Sequence, residues 1–361
     1  MKERQSKKLS FAIVGCGRIF QKYAEIFQAG KIKNGEIATV CDIQVDRARK
    51  AGKKLAVPYY QDMDKMMKSE VPIDIVCVLT PSGVHAQHAI RLTKYRSHIL
   101  IEKPMALTIE SAEKILAAVK KNRIRIFTVK QNRFNIPIIK LKEALTEKAF
   151  GKIFLATARI RWSRDQKYYN TDFWRGTWKL DGGVFANQAC HHIDLIQMIL
   201  GQPISVFAKG QRSLSKTETE DTGVVVIKFK NNAIGIVEAT TAARPKDLEG
   251  SISVLGEAGS VEIGGFAANE IKVWDFSNQK YNYKNLAKFS QNPPNVYGFG
   301  HIEFLNKMIE SIRTDRKFET EGKEGLKTVK LISAIYESMA ANKEIYLDKN
   351  FKQKKSKLGR G

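Results

Sequence analysis

The feature that most narrows the fold lies near the start of the chain. A short apolar run, Leu9–Val14, breaks at once into Gly15-Cys16-Gly17-Arg18-Ile19-Phe20, and a helical pattern then runs to about Ala29. A tight glycine turn between a strand and a helix lets the backbone approach a pyrophosphate and aims the helix's unpaired amides at it. Phe20 stands where this spacing more often has a third glycine or an alanine, so the turn alone is a weak signal. Its context strengthens it. A second strand, Glu36–Cys41, ends on Asp42, at roughly the twenty-residue separation from which an acid reaches the adenosine ribose. A carboxylate there accepts hydrogen bonds from ribose hydroxyls and repels a 2′-phosphate, which favours NAD over NADP.

The same alternation continues. Asp46–Ala56 and Asp62–Lys68 read as helices, Ile73–Leu79 as a buried strand ending in Thr80-Pro81-Ser82-Gly83, and Val84–Thr93 as a helix. His98–Ile101 runs as a strand into Glu102-Lys103-Pro104, followed by a helix over Thr108–Lys121 and a strand over Ile124–Val129. Repeated strand–helix units with continuous apolar strands predict a parallel, doubly wound sheet of the Rossmann type. Ligands bind such sheets at the carboxyl ends of the strands, and Asp42, Thr80 and Lys103 all fall at such ends.

From about Gln131 the pattern changes. After a helix over Pro137–Phe150 and a strand over Lys152–Trp162 comes a polar, aromatic loop, RDQKYYNTDFWRGTWKLDGG. A helical run within Asp181–Gly201 follows. Six strands succeed it, near 204–212, 222–229, 233–241, 251–255, 260–263 and 271–276, joined by turns such as Asn231-Asn232 and Glu257-Ala258-Gly259. Consecutive strands with tight turns indicate an open, mostly antiparallel sheet in an α+β domain, closed by helices over His301–Arg313 and Lys323–Ala341. The domains are therefore expected at 1–129 and 130–346. The terminal stretch 347–361, with KQKKSKLGRG, reads as a solvated basic tail. A sheet of this kind has one face to spare for another subunit, so a homo-oligomer, dimer or tetramer, is expected.

Composition excludes more than it assigns. Of the 361 residues, 43% are hydrophobic and 27% charged, normal for a soluble globular protein with a sizeable core. No apolar run approaches a membrane span, and the basic head runs straight into a strand rather than a signal-peptide core, so a cytoplasmic protein is expected. Cys16, Cys41, Cys77 and Cys190 are isolated, without metal-binding or disulfide spacing. The net charge of +24 is dispersed along the chain and accompanies no nucleic-acid motif. It suits a basic surface and the attraction of an anionic small substrate.

Two positions carry the candidate chemistry. On a helix turning about 100° per residue, Asn187, His191, Asp194 and Met198 share one face, opposite Ala189, Ile193, Ile196 and Leu200. His191 is thus the candidate proton-transfer group, and His192 a hydrogen-bonded, partly buried structural residue. Lys103 ends a strand where a nicotinamide would lie, with Pro104 pinning the turn. Hydride transfer from a carbinol needs a base for the hydroxyl proton and a group to hold the oxygen. His191 and Lys103 suit those two tasks.

Taken together, GCGRI, Asp42, TPSGVH, EKP and the glycine-pair motif with Asn187, His191, His192 and Asp194 resemble the Gfo/Idh/MocA family (glucose–fructose oxidoreductase and inositol dehydrogenase) over about Phe11 to Tyr346. KQNRFN, RIRWSR with YY, WRGTW, LDGGVFANQACHHIDL and EATTAARPKDLEGSISVLGE are similar to one branch. That branch comprises the UDP-N-acetyl-2-amino-2-deoxyglucuronate 3-dehydrogenases, which oxidise the sugar's 3-hydroxyl to a ketone on the way to the diamino uronic acids of lipopolysaccharide O-antigen.

The resemblance implies NAD as cofactor, held by Gly15, Gly17, Arg18, Ile19, Asp42, Thr80, Pro81, His85, Glu102, Lys103 and Gln131. It implies Lys103 and His191 as the catalytic pair. It places Asn132 and Arg133 near the nicotinamide or the sugar. Much of the family has an aspartate four residues before the histidine; here it is Asn187, which can bind a hydroxyl but cannot act as a base. Arg159, Arg161, Arg164 and Arg175 gather around the aromatic loop, where guanidinium groups suit a uronate carboxylate or a diphosphate. Tyr168 and Tyr169 are further substrate contacts, within one chain or across a subunit boundary. Other readings are a family dehydrogenase for a free sugar or inositol, and an NAD-binding regulator without turnover. NADH release and its reoxidation in place by a second substrate such as 2-oxoglutarate both remain open.

Overall fold

The computed structural model describes residues 7–290, 293, 298–349 and 351–360. The charged head at 1–6 and the tail positions 350 and 361 lie outside them. In chain order the first part forms β1 (Leu9–Val14), α1 (Arg18–Gln28), β2 (Gly35–Cys41), α2 (Val45–Leu55), β3 (Tyr59–Tyr60), α3 (Met63–Met67), β4 (Ile75–Val78), α4 (His85–Leu92), β5 (His98–Ile101), α5 (Ile109–Lys121) and β6 (Ile126–Thr128). All six strands pair in parallel in the order β3-β2-β1-β4-β5-β6. The order reverses between β1 and β4, and a doubly wound sheet opens its ligand crevice at that switch point. Residues of β1, β4 and β5 are buried almost without exception because helices cover both faces.

The first of two units comprises Met1–Ala106, Glu110–Val129 and Ile302–Lys327. The last stretch is a correction to the reading of the chain as two uninterrupted domains. It rejoins the sheet because Phe318 stacks edge-on against Phe127 and Phe304, and because Arg125 on the strand edge donates to both carboxylate oxygens of Glu321. Partners so far apart in the chain leave no local trace.

The second unit comprises Leu107–Ile109, Lys130–His301 and Thr328–Gly361. Its elements are α6 (Ile136–Thr146), β7 (Ile153–Arg161), α7 (Gln166–Asn170), α8 (Cys190–Leu200), β8 (Pro203–Gln211), β9 (Thr222–Phe229), β10 (Ile234–Thr240), β11 (Glu249–Gly256), β12 (Gly259–Gly264) and β13 (Glu270–Phe276). Then come α9 (Gly300–Arg313), which begins here and passes into the first unit, α10 (Lys323–Ala341), which returns, and β14 (Ile345–Tyr346). The eight strands lie in the order β13-β12-β11-β7-β10-β9-β8-β14. Every pairing is antiparallel except the central β10–β7.

Strand alternation gives this sheet two different faces. Ala156, Ala158, Ile160, Val225, Ile227 and Val237 are buried on the inner face, against α8 with its Ile193 and Ile196. Each fully buried valine or isoleucine among them contributes roughly 1.5–3 kcal/mol. The outer face leaves Phe207, Val224, Val226 and Ile234 substantially exposed, with Phe207 directly opposite Val226.

The terminal stretch is not a solvated tail. Backbone amides of Lys354, Lys355 and Ser356 all donate to the Glu337 carboxylate on α10. Leu358 is 1% exposed within the core of the unit, and the Gly359 amide donates to Trp178 O. The lysine side chains point outward while Gln353, Ser356 and Leu358 point in, so basic composition hid a docked strap.

Candidate active site

In the first unit the glycine turn is shaped by close contact. Gly15 has φ +102°, and a Cβ there would stand 2.8 Å from the carbonyl of Leu79 at the end of β4. Gly17 caps α1 without any side-chain bond, and no acid occupies the first helical turn. The amides of Arg18, Ile19 and Phe20 therefore form the kind of uncapped helix start that holds a phosphate anion. Phe20 is itself buried and helps wedge the helix against the sheet.

Asp42, at the end of β2, braces this turn. Its Oδ2 accepts from Cys16 N and its Oδ1 from Gln44 N, each at 2.8 Å. Each oxygen of a carboxylate has a second lone pair, so the group can still accept from ribose hydroxyls. Ile43, next to it, is 81% exposed. It is an apolar surface beside this acid that sequence reading missed, and a strand-end position after the acid was its only signal. Burial pushes the thiols of Cys16 and Cys41 up to about 12, so neither is a nucleophile.

The ends of β4 and β5 are joined by histidine. His85 lies wholly buried with Nδ1 2.8 Å from Pro104 O and Nε2 2.7 Å from Thr80 O. Burial pulls its pKa below the ordinary value. The Thr80 hydroxyl lies 3.0 Å from Nδ1 of His88, and Pro81 caps the short turn at Ser82–Val84. Glu102 accepts from the Tyr23 hydroxyl and from Lys103 N. Lys103, joined to Pro104 by a cis peptide, is partly exposed beside it.

In the second unit the polar face of α8 is not solvated. It packs on a 3-10 turn at Gln131–Phe134. Asp194 is buried, accepting from Lys130 Nζ at 2.5 Å, from Arg133 Nε at 2.7 Å and Nη2 at 2.8 Å, and from Thr328 Oγ1 at 2.9 Å. Burial alone would push this carboxyl up; the charges of Arg133 and Lys130 outweigh it and hold the group below the ordinary carboxylate range. Arg133 is thus anchored to Asp194. Lys130 was not singled out from the sequence, although it opens the KQNRFN motif.

Gln131 Nε2 lies 2.9 Å from His191 Nε2. Gln131 Oε1 and Asn132 Oδ1 are buried acceptors to which no group among the described residues bonds. Leaving such an atom unsatisfied costs about 1–3 kcal/mol, and a ligand amide or hydroxyl would satisfy it.

Three expectations need correction. Asn187 lies on the turn leading into α8, which starts at Cys190, and its amide donates to Asp181 Oδ1. His192 is fully rather than partly buried, edge-on to Trp162, and burial lowers its pKa to about 4. The arginine cluster divides. Arg159 and Arg161 share a parity along β7 and point to the outer face of the sheet, where Arg161 pairs bidentately with Glu238 and also with Glu249. Arg159 pairs with Glu249 and Glu262. Arg164 and Arg175 stay with the aromatic loop. Arg164 stacks between Trp162 and Tyr168, and Arg175 lies 4.5 Å from the ring centroids of both Tyr168 and Trp174 while donating to Tyr168 Oη. Tyr169 is buried with its hydroxyl bonded to Thr241, and burial pushes it up to about 12.

Among the described residues no group of three or more His, Cys, Asp or Glu is arranged to hold a metal ion. No helix among them is long and apolar enough to cross a membrane.

Residues 9–130 match the oxidoreductase family with an NAD-binding Rossmann fold, and residues 138–262 match the Gfo/Idh/MocA C-terminal domain. The chain is similar to myo-inositol 2-dehydrogenase of Thermotoga maritima, 25% identical over 349 residues that cover 94% of this chain and 99% of that protein. Among solved structures it is similar to the WlbA dehydrogenase from Chromobacterium violaceum in complex with NADH and UDP-GlcNAcA. The identity there is 35%, over 96% of this chain and 98% of that one, with a TM-score of 0.88. The WlbA dehydrogenase from Bordetella pertussis, with the same two ligands, is 33% identical over 95% of this chain and 99% of that one, with a TM-score of 0.84.

Replacing Asp194 by Asn leaves Lys130 and Arg133 buried without their counter-charge, which costs about 3–5 kcal/mol; urea unfolding of Asp194→Asn reads this loss directly. If Asp42 accepts from the ribose hydroxyls, replacing it by Ala removes that acceptor and the repulsion of a 2′-phosphate together. Titration calorimetry is expected to give a Kd for NAD⁺ raised about tenfold or more, consistent with about 1.5–3 kcal/mol for charged hydrogen bonds, and a narrowed preference over NADP⁺. An equal loss for both dinucleotides would confine Asp42 to bracing the turn.

Proposed function

The chain belongs to the Gfo/Idh/MocA family of NAD-dependent oxidoreductases, and on that premise we propose that it oxidises the 3-hydroxyl of UDP-N-acetylglucosaminuronate to the 3-keto sugar. The observation that carries the choice of substrate is the near full-length similarity, at 35% identity, to a dehydrogenase crystallised with NADH and UDP-GlcNAcA; the similarity to the inositol dehydrogenase is 25%. Bound NAD⁺ supplies the hydride acceptor. The reaction breaks the C3–H and O–H bonds, forms the C3=O double bond, and delivers a hydride to the nicotinamide and a proton to the protein.

In this reading Lys103 donates to the 3-hydroxyl oxygen and stabilises its developing negative charge, and His191 takes the proton. Gln131 supports the second role by orienting the imidazole ring through its bond to Nε2. A carboxylate base at position 187 is replaced by an amide, so proton removal rests on His191 with Lys103. Asn132 contributes an acceptor for the sugar or the nicotinamide amide. Tyr168 and Arg175 line the substrate side of the aromatic loop, and the positive charge of the chain favours an anionic nucleotide sugar. Arg133, Arg161 and Tyr169 already hold Asp194, Glu238 and Thr241 and act as support. The product would feed an aminotransferase step toward lipopolysaccharide.

We further propose that the exposed outer face of the second unit's sheet is where subunits of a homo-oligomer meet. Sedimentation of Val224→Lys/Val226→Lys is expected to give a smaller species than wild type; an unchanged mass would remove that role from this face.

The substrate reading is tested by following NADH absorbance with UDP-GlcNAcA, UDP-GlcNAc and myo-inositol. UDP-GlcNAcA is expected to have the highest kcat/KM, and Lys103→Ala and His191→Ala each to lose at least about a hundredfold, the usual scale for a positioned acid or base. Unchanged turnover in both variants, or preference for inositol, would contradict it. Repeating the assay with 2-oxoglutarate separates NADH release from reoxidation in place.

A further inference from the structure

Asp181 ties together two pieces of the second unit that the sequence presents separately. Its side chain is almost wholly buried. Oδ2 accepts from Gly176 N at 2.8 Å, and Oδ1 accepts from Asn187 Nδ2 at 2.5 Å. Gly176 directly follows Arg175, the guanidinium stacked on Tyr168 and Trp174. Its φ of +65° and its tight fit against Thr217, whose Cγ2 would lie 2.4 Å from an added Cβ, fix that part of the loop. Asn187 lies on the turn that leads into α8, four residues before His191. One carboxylate therefore holds both the aromatic loop and the turn that precedes the candidate base.

An amide donates through nitrogen and accepts through oxygen. With its nitrogen held by a buried carboxylate, a bond stronger than one between neutral groups, Asn187 turns its oxygen toward other partners. We propose that Asp181 is a positioning residue for the reaction: it fixes Asn187 as an acceptor for a hydroxyl or amide N–H of the sugar and couples the Arg175 loop to the helix of His191. The inference rests on the reading that His191 serves the reacting sugar. It also accounts for the amide at 187. A carboxylate there would bring an oxygen to about the position of Nδ2, against Asp181, and two carboxylates that close do not both ionise. The acid has moved one step back, and the amide stands where it can touch substrate.

The test compares four proteins: wild type, Asp181→Asn, Asn187→Asp and the double exchange Asp181→Asn/Asn187→Asp. Thermal midpoints are measured without ligand, and kcat and KM with NAD⁺ and either UDP-GlcNAcA or myo-inositol. Asn187→Asp is expected to lower the midpoint and to cut kcat about tenfold or more. The double exchange, which restores one acid and one amide, is expected to regain most of the midpoint and about tenfold in kcat, within the range of coupling for residues in contact. KM for NAD⁺ stays constant throughout. A double exchange no better than Asn187→Asp in either quantity would show that the pair is not coupled and overturn the proposal. Recovery of the midpoint without recovery of kcat would reduce Asp181 to a structural residue and overturn it equally. If wild type turns over inositol but not the nucleotide sugar, the substrate reading falls while the exchange is still read on inositol. Inactivity on both sugars would overturn the two together.

Discussion

Asp194 sits between two cations in the interior of the second unit, and the candidate chemistry of that unit is arranged around this contact. Taking an aspartate, a lysine and an arginine out of water is costly, several kcal/mol per ion even after relaxation. The cost is offset here by four short bonds that use both carboxylate oxygens. What the arrangement secures is register. Lys130 and Arg133 flank Gln131 and Asn132 in the chain, and Asp194 lies three residues beyond His191. Clamping the outer members to each other sets the inner ones opposite, with Gln131 on His191 Nε2 and the amide oxygen of Asn132 left as a buried acceptor.

A second constraint fixes where α8 begins. A Cβ on Gly183 would stand 2.2 Å from the carboxyl of Glu220, so the glycine pair is required by a side chain that fills the space. Tyr336 Oη donates to Glu220 Oε1 and accepts from Gly183 N and Ala186 N, while Phe185 N donates to the same carboxylate oxygen. Burial pushes Glu220 up to about 7, with Asp221 adding to the rise. The docked strap reinforces the same region: Leu358 packs where a Gly182 side chain would go, and Glu337 gathers three backbone amides behind it. The turn that leads into α8 and His191 is thus gripped from the β9 side by Glu220 and from α10 by Tyr336.

Much of the first unit was legible because its signals are local. Continuous apolar runs, a glycine turn and an acid at the next strand end follow from neighbours in sequence, and they yield the parallel, doubly wound sheet they predict. The strand parity of the second unit was legible for the same reason, as was the difference between His191 and His192. What escaped depends on partners far apart in the chain. Ile302–Lys327 rejoins the first unit through Phe318 and Glu321. The basic terminus docks through backbone amides that its lysines conceal. Asp181 and Lys130 matter through Asn187 and Asp194; both stand in quoted motifs, LDGG and KQNRFN, but nothing local in either names the partner. Arg161 looked like a substrate contact because arginines near aromatic residues suggest anions; along β7 its parity instead points it at Glu238.

The central claim is that a hydride leaves C3 of a UDP-linked N-acetylglucosaminuronate for NAD⁺. The most direct measurement uses UDP-GlcNAcA carrying deuterium at C3, with mass spectrometry of both products. The account predicts NADH carrying the deuterium and a keto sugar without it. NADH free of deuterium, or a sugar product that retains the label at C3, would contradict it.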